Sequence, residues 1–273
     1  MENYLDYWAL KEMPFENTPD PRFFYHSIQH EEALSRLRYV VDNNKGAGML
    51  TGVFGCGKTV LARTLMTGLM KRNYQIAFIS NPQMRAIELL RSIARNLGAE
   101  NLPSKFTEMS SDYFLEVIEN ILNNNLKDGR ETLVVVDEAH VITDMEVLEE
   151  LRLLLNFQLE NRFLLTLILM GQPELQERIQ KTKQLLQRIA MSYNIGPLSK
   201  EEVDKYITHR LSVSGAVRQI FNPAAIEAIH KISGGIPRRI NHMCDLSLFV
   251  GAGGHLSGII EKVVEEVATS FEA

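Results

Sequence analysis

The chain has 273 residues, of which 45% are hydrophobic and 23% are charged, and its formal net charge is -5 at pH 7. This balance is typical of a globular protein with one sizeable core and a smaller second domain, and it argues against a surface built throughout to hold nucleic acid, although a local basic patch is compatible with it. The two cysteines, Cys56 and Cys244, have no metal-like spacing with histidine, so a disulfide framework and a zinc site have no support and a reducing compartment fits.

The amino terminus is acidic and lacks the basic-then-apolar pattern of a signal sequence. The longest apolar stretches, such as Phe163 to Met170, are too short to cross a bilayer. We therefore expect a cytoplasmic, soluble protein without membrane insertion.

Residues 1–46 contain many aromatic side chains for a segment that precedes the first predicted strand. They include Trp8, Phe15, Phe23, Phe24 and Tyr25. We expect this segment to pack on the following domain near its ligand. Aromatic anchoring without any ligand contact is the alternative interpretation.

Residues 47–197 alternate short apolar runs with amphipathic helical patterns. The apolar runs predict strands at Gly48 to Thr51, Gln75 to Ser80, Thr132 to Asp137 and Leu164 to Met170. Helical spacing appears in 87–97, which Gly98 ends, and in 114–122. Uninterrupted apolar strands that alternate with helices predict an α/β domain with a parallel sheet covered on both faces.

The first predicted strand runs into the pattern of a phosphate-binding loop, Gly52-Val53-Phe54-Gly55-Cys56-Gly57-Lys58-Thr59, and a predicted helix follows from Thr59 to about Met70. Glycines let successive backbone N–H groups point at phosphates, and the helix start adds favourable potential. Lys58 is expected to meet the β- and γ-phosphates of ATP, and the Thr59 hydroxyl to coordinate Mg²⁺. The expected ATP contacts are Gly52, Gly55, Cys56, Gly57, Lys58, Thr59 and Val60.

Cys56 occupies a loop position where a side chain can lie close to the bound nucleotide. A thiol beside Lys58 and a helix start is expected to have a lowered pKa, which would suit redox sensing. The preferred interpretation is a small neutral side chain that the loop tolerates.

A second signature stands at the end of the strand 132–137, where Asp137 is followed by Glu138. Asp137 is expected to hold the Mg²⁺ shell through water, and Glu138 to polarise the attacking water as the general base. The next two residues complete the helicase-like word Asp-Glu-Ala-His, but the sequence shows no other helicase motif. His140 is therefore interpreted as a neighbouring packing or hydrogen-bonding residue.

Two further residues of this domain are candidates for contacts around the γ-phosphate. Gln172 follows the strand 164–170 and is the candidate sensor, with a plain strand-to-helix turn as the alternative. Arg188 precedes the presumed last strand and is the candidate finger presented to the next subunit. Surface solvation alone is the alternative for Arg188, and Arg178 is the rival candidate for the finger.

After Pro197 only helical patterns follow, which predicts a helical domain over 198–273. Ser199-x-x-Glu202 forms a capping box, Pro223 and Pro237 suit first helical positions, and Gly234 suits a carboxyl-terminal cap. Arg238 falls in the first turn of one of these helices. It is the candidate lid arginine that reaches the γ-phosphate, with a surface ion pair as the alternative.

Several segments together resemble the ExeA/GspA family of AAA+ ATPases over almost the whole chain. They are Pro14-Phe15, Pro19-Asp20-Pro21-Arg22-Phe23, His30-Glu31-Glu32-Ala33-Leu34, the phosphate-binding loop, Asp137-Glu138-Ala139, Gly171-Gln172-Pro173-Glu174-Leu175 and Gly235-Ile236-Pro237-Arg238-Arg239-Ile240-Asn241. The resemblance implies a three-layer P-loop AAA+ fold with a five-stranded parallel core and a helical lid. It also implies a ring-like or higher homo-oligomer and kinship with AAA+ regulators of transposition, which assemble on DNA.

The chain ends at Ala273, directly after the predicted lid, so its length resembles that of the short cytoplasmic members associated with pilus biogenesis. We expect an ATPase whose ATP-dependent oligomerisation assists assembly of a secretion or type IV pilus-like envelope machine. One alternative is a DNA-bound regulator of transposition or target selection, which the acidic charge balance disfavours. The other is a switch that binds ATP and hydrolyses it slowly.

Overall fold

A computed structural model of the chain describes residues 4–103 and 110–272, without the side chains of the last two. The described residues form two compact units. The α/β unit consists of residues Glu31–Val53 and Leu61–Ile195. The helical unit consists of the residues up to His30, of Phe54–Val60 and of those from Gly196 onwards.

The α/β unit is built on a five-stranded parallel sheet. Its strands are β1 (Ala47–Gly52), β2 (Tyr74–Ile79), β3 (Glu131–Val136), β4 (Thr166–Gly171) and β5 (Ile189–Ile195), in the order β2-β3-β4-β1-β5. Every residue of β1 and β4 is buried, as expected for strands covered on both faces. The prediction of a five-stranded parallel sheet is confirmed, and the four strands placed from the sequence lie within two residues of their observed bounds.

The register of the sheet brings three strand ends to one edge. Thr51 of β1 pairs with Gly171 of β4, and Val136 of β3 pairs with Leu169 of β4. The carboxyl ends of β1, β3 and β4 therefore lie side by side, which is the edge where ligands bind in open α/β sheets.

The described residues also form helices, some of which have the starts and stops that the sequence predicted. The helices are α1 (Tyr4–Trp8), α2 (Ile28–Asp42), α3 (Lys58–Met70), α4 (Ala86–Asn96), α5 (Ser111–Lys127), α6 (Met145–Leu154), α7 (Glu174–Lys181), α8 (Lys183–Leu186), α9 (Lys200–Val213), α10 (Pro223–Ser233), α11 (Pro237–Gly253) and α12 (Glu261–Glu272). Ser199 and Glu202 form the predicted capping box of α9. Gly234 ends α10 with a φ of 61°, a left-handed conformation that favours glycine. None of the described helices combines the length and the apolar character that a membrane span requires.

The amino-terminal aromatics correct one prediction. We expected them to pack on the α/β domain, but Tyr4, Trp8 and Phe15 lie in the core of the helical unit. The Trp8 Nε1–H donates to the Leu248 carbonyl at 2.8 Å, and Gly251 leaves room for the ring, since a Cβ there would lie 2.9 Å from it. The aromatic content of residues 1–46 predicted that these side chains pack in a core, but it did not show which core. The domain boundaries after residues 46 and 197 stay a proposal.

A buried guanidinium ties this amino-terminal segment to α9. Arg210 is only 6% exposed, and it donates to the carbonyls of Pro14 at 2.6 Å and Glu16 at 2.9 Å. Its third partner is the Tyr206 hydroxyl at 3.0 Å. Because buried donors and acceptors are costly when unpaired, these hydrogen bonds fix the backbone conformation around Pro14 and Glu16.

We expect Trp8→Ala to destabilise the helical unit by about 3–5 kcal/mol, because it removes a buried ring and leaves a cavity. Phe249→Ala is the matched control, since Phe249 is an aromatic of the same unit that is 57% exposed. Guanidinium unfolding followed by circular dichroism measures both variants. Equal midpoints for the two variants would contradict the assigned place of Trp8.

Candidate functional site

Residues 52–59 connect the end of β1 to the start of α3, and the structure shows why the loop needs its glycines. Gly55 and Gly57 have φ angles of +87° and +91°, which L side chains rarely adopt. A Cβ at Gly55 would lie 2.8 Å from the Cβ of Arg238, and one at Gly57 would lie 3.0 Å from Nε2 of His30. The loop therefore has the backbone freedom of an anion-binding nest. Gly55 and Gly57 belong to the helical unit, as do their close neighbours Arg238 and His30.

Lys58 is the first residue of α3 and is only 5% exposed. A buried ammonium group is stabilised by a nearby anion, and the start of a helix adds positive potential of its own. Thr59 and Val60 follow in the first turn and are half-buried. This end of α3 is thus suited to bind a phosphate group.

Cys56 does not have the reactive thiol that its neighbours suggested. Its side chain is fully buried, and burial raises the pKa of the Cys56 thiol despite the opposing effect of Lys58. The expected lowering of the pKa was wrong, because desolvation of a thiolate outweighs one nearby positive charge. The small neutral side chain that we preferred is the interpretation consistent with this environment.

We expect neither cysteine to react with Ellman's reagent within minutes at pH 7, because Cys56 and Cys244 are both buried and burial raises the pKa of both thiols. Unfolding in guanidinium should release two reactive thiols per chain. Val217→Cys supplies the control, since Val217 is 90% exposed and a thiol there should react at once. Rapid labelling of the native wild type would contradict this burial.

The two acids after β3 have different environments within the α/β unit. Asp137 is 3% exposed; its N–H donates to the Ile79 carbonyl at 2.8 Å, and its carboxylate accepts the Glu138 N–H at 2.8 Å. Glu138 has a left-handed backbone, with φ 52° and ψ 29°, and its side chain is 35% exposed. Such a conformation is strained for a residue other than glycine, and strain of this kind concentrates at functional sites.

His140 joins the predicted base to the predicted sensor. Its Nδ1 lies 3.2 Å from a carboxylate oxygen of Glu138, and its Nε2 lies 2.9 Å from Nε2 of Gln172. The Gln172 amide nitrogen can only donate, so Nε2 of His140 is the acceptor; Nδ1 lies within ion-pair distance of Glu138 but makes no hydrogen bond to the described residues. A Cβ at Gly171 would lie 3.0 Å from the backbone nitrogen of His140, so glycine permits the close approach of that backbone. Only the position of His140 two residues after Glu138 signalled this link.

Both candidate finger arginines bind within the α/β unit. Arg188 donates to the carbonyl of Leu155 at 3.2 Å and to the side chain of Asn156 at 3.3 Å. Arg178 donates to the carbonyl of Ile142. These contacts do not separate the two candidates, so the role of each stays a prediction.

Arg238 lies beside the phosphate-binding loop within the helical unit. Its backbone N–H donates to the Gly55 carbonyl at 3.2 Å, and its guanidinium lies 4.7 Å from the centre of the Phe54 ring. The side chain is exposed and belongs to the first turn of α11, as the sequence predicted. An arginine in this place is available to an anion bound by the loop.

The side chains of the described residues do not form a complete metal centre by themselves, but single oxygen ligands of the kind that Mg²⁺ uses are present. Across residues 4–103 and 110–272, no group of three or more His, Cys, Asp and Glu side chains is placed to hold a metal ion. Mg²⁺ commonly takes one or two protein oxygens and completes its shell with water and substrate phosphates. Thr59 of the helical unit and Asp137 of the α/β unit each carry an oxygen of that kind, and their role as Mg²⁺ ligands stays a prediction.

The loop and the acidic pair agree with a comparison to known families, in which a family profile described as AAA domain matches residues 41–179. The chain belongs to the AAA domain family. Within that family it is related to General secretion pathway protein A of Aeromonas hydrophila, to which it is 39% identical over 272 residues. That alignment covers 97% of the chain but 48% of the relative, so the chain spans about half the length of that protein.

A more distant relative of the chain is a transcriptional regulator by name. It is an uncharacterised HTH-type transcriptional regulator of Methanocaldococcus jannaschii, 24% identical over 302 residues, and the alignment covers 96% of the chain and 73% of the relative. Sequences similar to this chain thus occur both in a secretion pathway protein and in a protein described as a transcriptional regulator.

Solved structures show the same fold at low identity. The structure of Drosophila ORC bound to DNA has a TM-score of 0.74 at 15% identity and covers 98% of this chain and 66% of that one. The ORC2 protein of Aeropyrum pernix has a TM-score of 0.68 at 16% identity and covers 92% and 71% of the two chains. These likenesses establish an AAA-type fold, a parallel α/β unit followed by helices.

Proposed function

We propose that the chain binds Mg-ATP with residues 52–59 and hydrolyses it to ADP and phosphate. The observation that carries this proposal is the loop itself, with Gly55 and Gly57 in left-handed conformations and Lys58 buried at the head of α3. Backbone N–H groups of such a loop bind the phosphates, and a lysine there neutralises the β- and γ-phosphates. Mg²⁺, held by Thr59 and through water by Asp137, would neutralise charge on the transferred phosphoryl group.

The acids and the polar residues near them supply the proposed chemistry. Glu138 accepts a proton from the attacking water, and the imidazole of His140 lies 3.2 Å from its carboxylate. Gln172 is proposed to sense the γ-phosphate through the same imidazole. Arg238 is proposed to meet the charge that develops on the γ-phosphate.

We further propose that the nucleotide drives self-assembly, and that the assembly serves a secretion or type IV pilus-like envelope machine. The support is the 39% sequence identity with General secretion pathway protein A, in an alignment that covers 97% of this chain. Arg188, or Arg178 in its place, would complete the site of a neighbouring subunit. The protein would then act at the inner membrane through its partners.

A second candidate function is a DNA-bound regulator. The sequence shared with an HTH-type transcriptional regulator favours it. The net charge of -5 opposes it, because DNA-binding surfaces neutralise phosphates with lysine and arginine. A DNA complex of this chain is therefore expected to be weak and lost at moderate salt.

Three measurements on the purified chain test the proposal. We expect phosphate release from ATP that stops with EDTA, and a larger species in light scattering with ATP than with ADP. Duplex DNA should bind weakly at roughly 0.2 M salt. Absence of phosphate release at all protein concentrations would leave only a binding switch, and submicromolar DNA binding at that salt would favour the regulator.

A further inference from the structure

The imidazole of His30 lies against the phosphate-binding loop within the helical unit. Its Nε2 is 2.8 Å from the carbonyl oxygen of Cys56, and the residue is 5% exposed. On its other side, Nδ1 lies 2.6 Å from the Ser27 hydroxyl. His30 thus forms a short chain of hydrogen bonds that ends on the backbone of the loop.

The Cys56 carbonyl defines the tautomer of His30, because a carbonyl oxygen can only accept. The ring proton therefore sits on Nε2, and His30 donates to the Cys56 carbonyl. Nδ1 is then the acceptor for the Ser27 hydroxyl hydrogen. The Ser27 oxygen also accepts the backbone N–H of His30 at 3.2 Å, as a residue capping the start of α2 does.

This donor determines which way one peptide group of the loop faces. A trans peptide is planar, with C=O and N–H pointing in opposite directions. While His30 holds the carbonyl of Cys56, the N–H of Gly57 is turned away from the imidazole. A phosphate-binding loop works through N–H groups turned in this manner toward its concave side.

We propose that His30 is a positioning residue that holds the Cys56–Gly57 peptide in its phosphate-binding orientation. This proposal rests on the proposed binding of ATP by the loop. The hydrogen-bonding chain spans the start of α2 and the loop, so a rigid helix end anchors a segment rich in glycine. The anchor lowers the conformational entropy that phosphate binding has to remove. Gly57 makes the arrangement available, since a Cβ there would lie 3.0 Å from Nε2 of His30.

Two substitutions separate positioning from mere packing. His30→Ala removes the donor and leaves the Cys56 carbonyl buried without it, so we expect the Kd for Mg-ATP to rise about tenfold. His30→Gln places an amide N–H near the former Nε2 and should keep the Kd within about threefold of wild type. A fluorescent ATP analogue measures both constants. Equal weakening in the two variants, or no weakening in His30→Ala, would overturn the proposal.

A second readout needs no nucleotide and uses the thiol of the anchored residue. In His30→Ala we expect the native labelling rate of Cys56 to rise about tenfold, while that of Cys244 stays at the wild-type value. Peptide mass spectrometry resolves the two cysteines. If the labelling rates of both cysteines rise together, the substitution has loosened the whole fold and the proposal of a local anchor is overturned. An unchanged labelling rate of Cys56 would also overturn it.

The thiol readout also keeps the two proposals apart. If the wild type binds no ATP, the proposed function fails while Cys56 labelling still decides whether His30 orders the loop. If His30→Ala does not fold, Ser27→Ala serves instead, because it removes the partner that orients the imidazole. It should raise the Cys56 rate by a smaller factor, about threefold, and an unchanged rate would overturn the anchor.

Discussion

Replacing Lys58 with alanine is expected to raise the Kd for Mg-ATP by at least about 100-fold. The variant removes a buried cation at the head of α3, where its charge-assisted hydrogen bonds to the β- and γ-phosphates would contribute on the order of 3 kcal/mol. The loop backbone and helix start remain, so weak binding should survive. Equilibrium titration with a fluorescent ATP analogue measures the change.

Lys71→Ala is the matched control for this variant. Lys71 is exposed and lies just beyond the carboxyl end of α3, so its loss should leave the Kd within about threefold of wild type. Should Lys58→Ala bind ATP as well as Lys71→Ala, the phosphate-binding role of Lys58 would be wrong.

Glu138→Gln is expected to reduce steady-state ATP turnover by about 10²- to 10⁴-fold, the usual contribution of a positioned acid–base group. Glutamine keeps the size of the side chain and its contact with His140 but cannot accept a proton from the attacking water. Binding should survive, because Lys58, Thr59 and Asp137 are unchanged. Phosphate release and ATP titration on the same preparation separate the two effects.

Glu146→Gln provides the comparison, since Glu146 is an exposed glutamate in the first turn of α6. Its turnover should equal that of wild type. Near-normal turnover in Glu138→Gln would show that Glu138 is not the base, and loss of binding together with turnover would show a structural defect.

The Glu138→Gln protein also tests the candidate fingers, because an ATP-bound subunit should keep its interface closed. We expect it to elute as a larger and longer-lived oligomer with ATP, and Arg188→Ala added to it should restore smaller species. Arg188 would have to exchange its contacts with Leu155 and Asn156 for a phosphate of the neighbouring subunit. If the double variant assembles equally well, Arg178 is the next residue to replace.

Features formed by residues close together in sequence, such as strands, helix ends and turns, could be predicted without a structure. Continuous apolar runs that alternate with amphipathic helical patterns predicted buried parallel strands, because strands covered on both faces carry apolar side chains on both. The cap of α9, the prolines that begin α10 and α11 and the glycine that ends α10 act within a few residues, and each was confirmed. The phosphate-binding loop was recognisable for the same reason, since its chemistry lies in eight consecutive residues.

Interactions between segments far apart in sequence were decided by the tertiary structure alone. The sequence showed that Trp8 is apolar and aromatic, but only packing against Leu248 and Gly251 placed it in the helical unit. The pKa of Cys56 was misjudged from its neighbours in sequence, because burial is a property of the whole fold.

The same limit applies to the two histidines that touch the candidate site. His140 joins Glu138 to Gln172, which is 32 residues away, and His30 reaches Cys56 across 26 residues. Hydrogen bonds of this kind depend on distances of a few tenths of an ångström and on angles, and sequence spacing specifies neither. The sequence by itself predicted the strands, the caps and the candidate phosphate-binding residues, while the fold determined which distant side chains contact them.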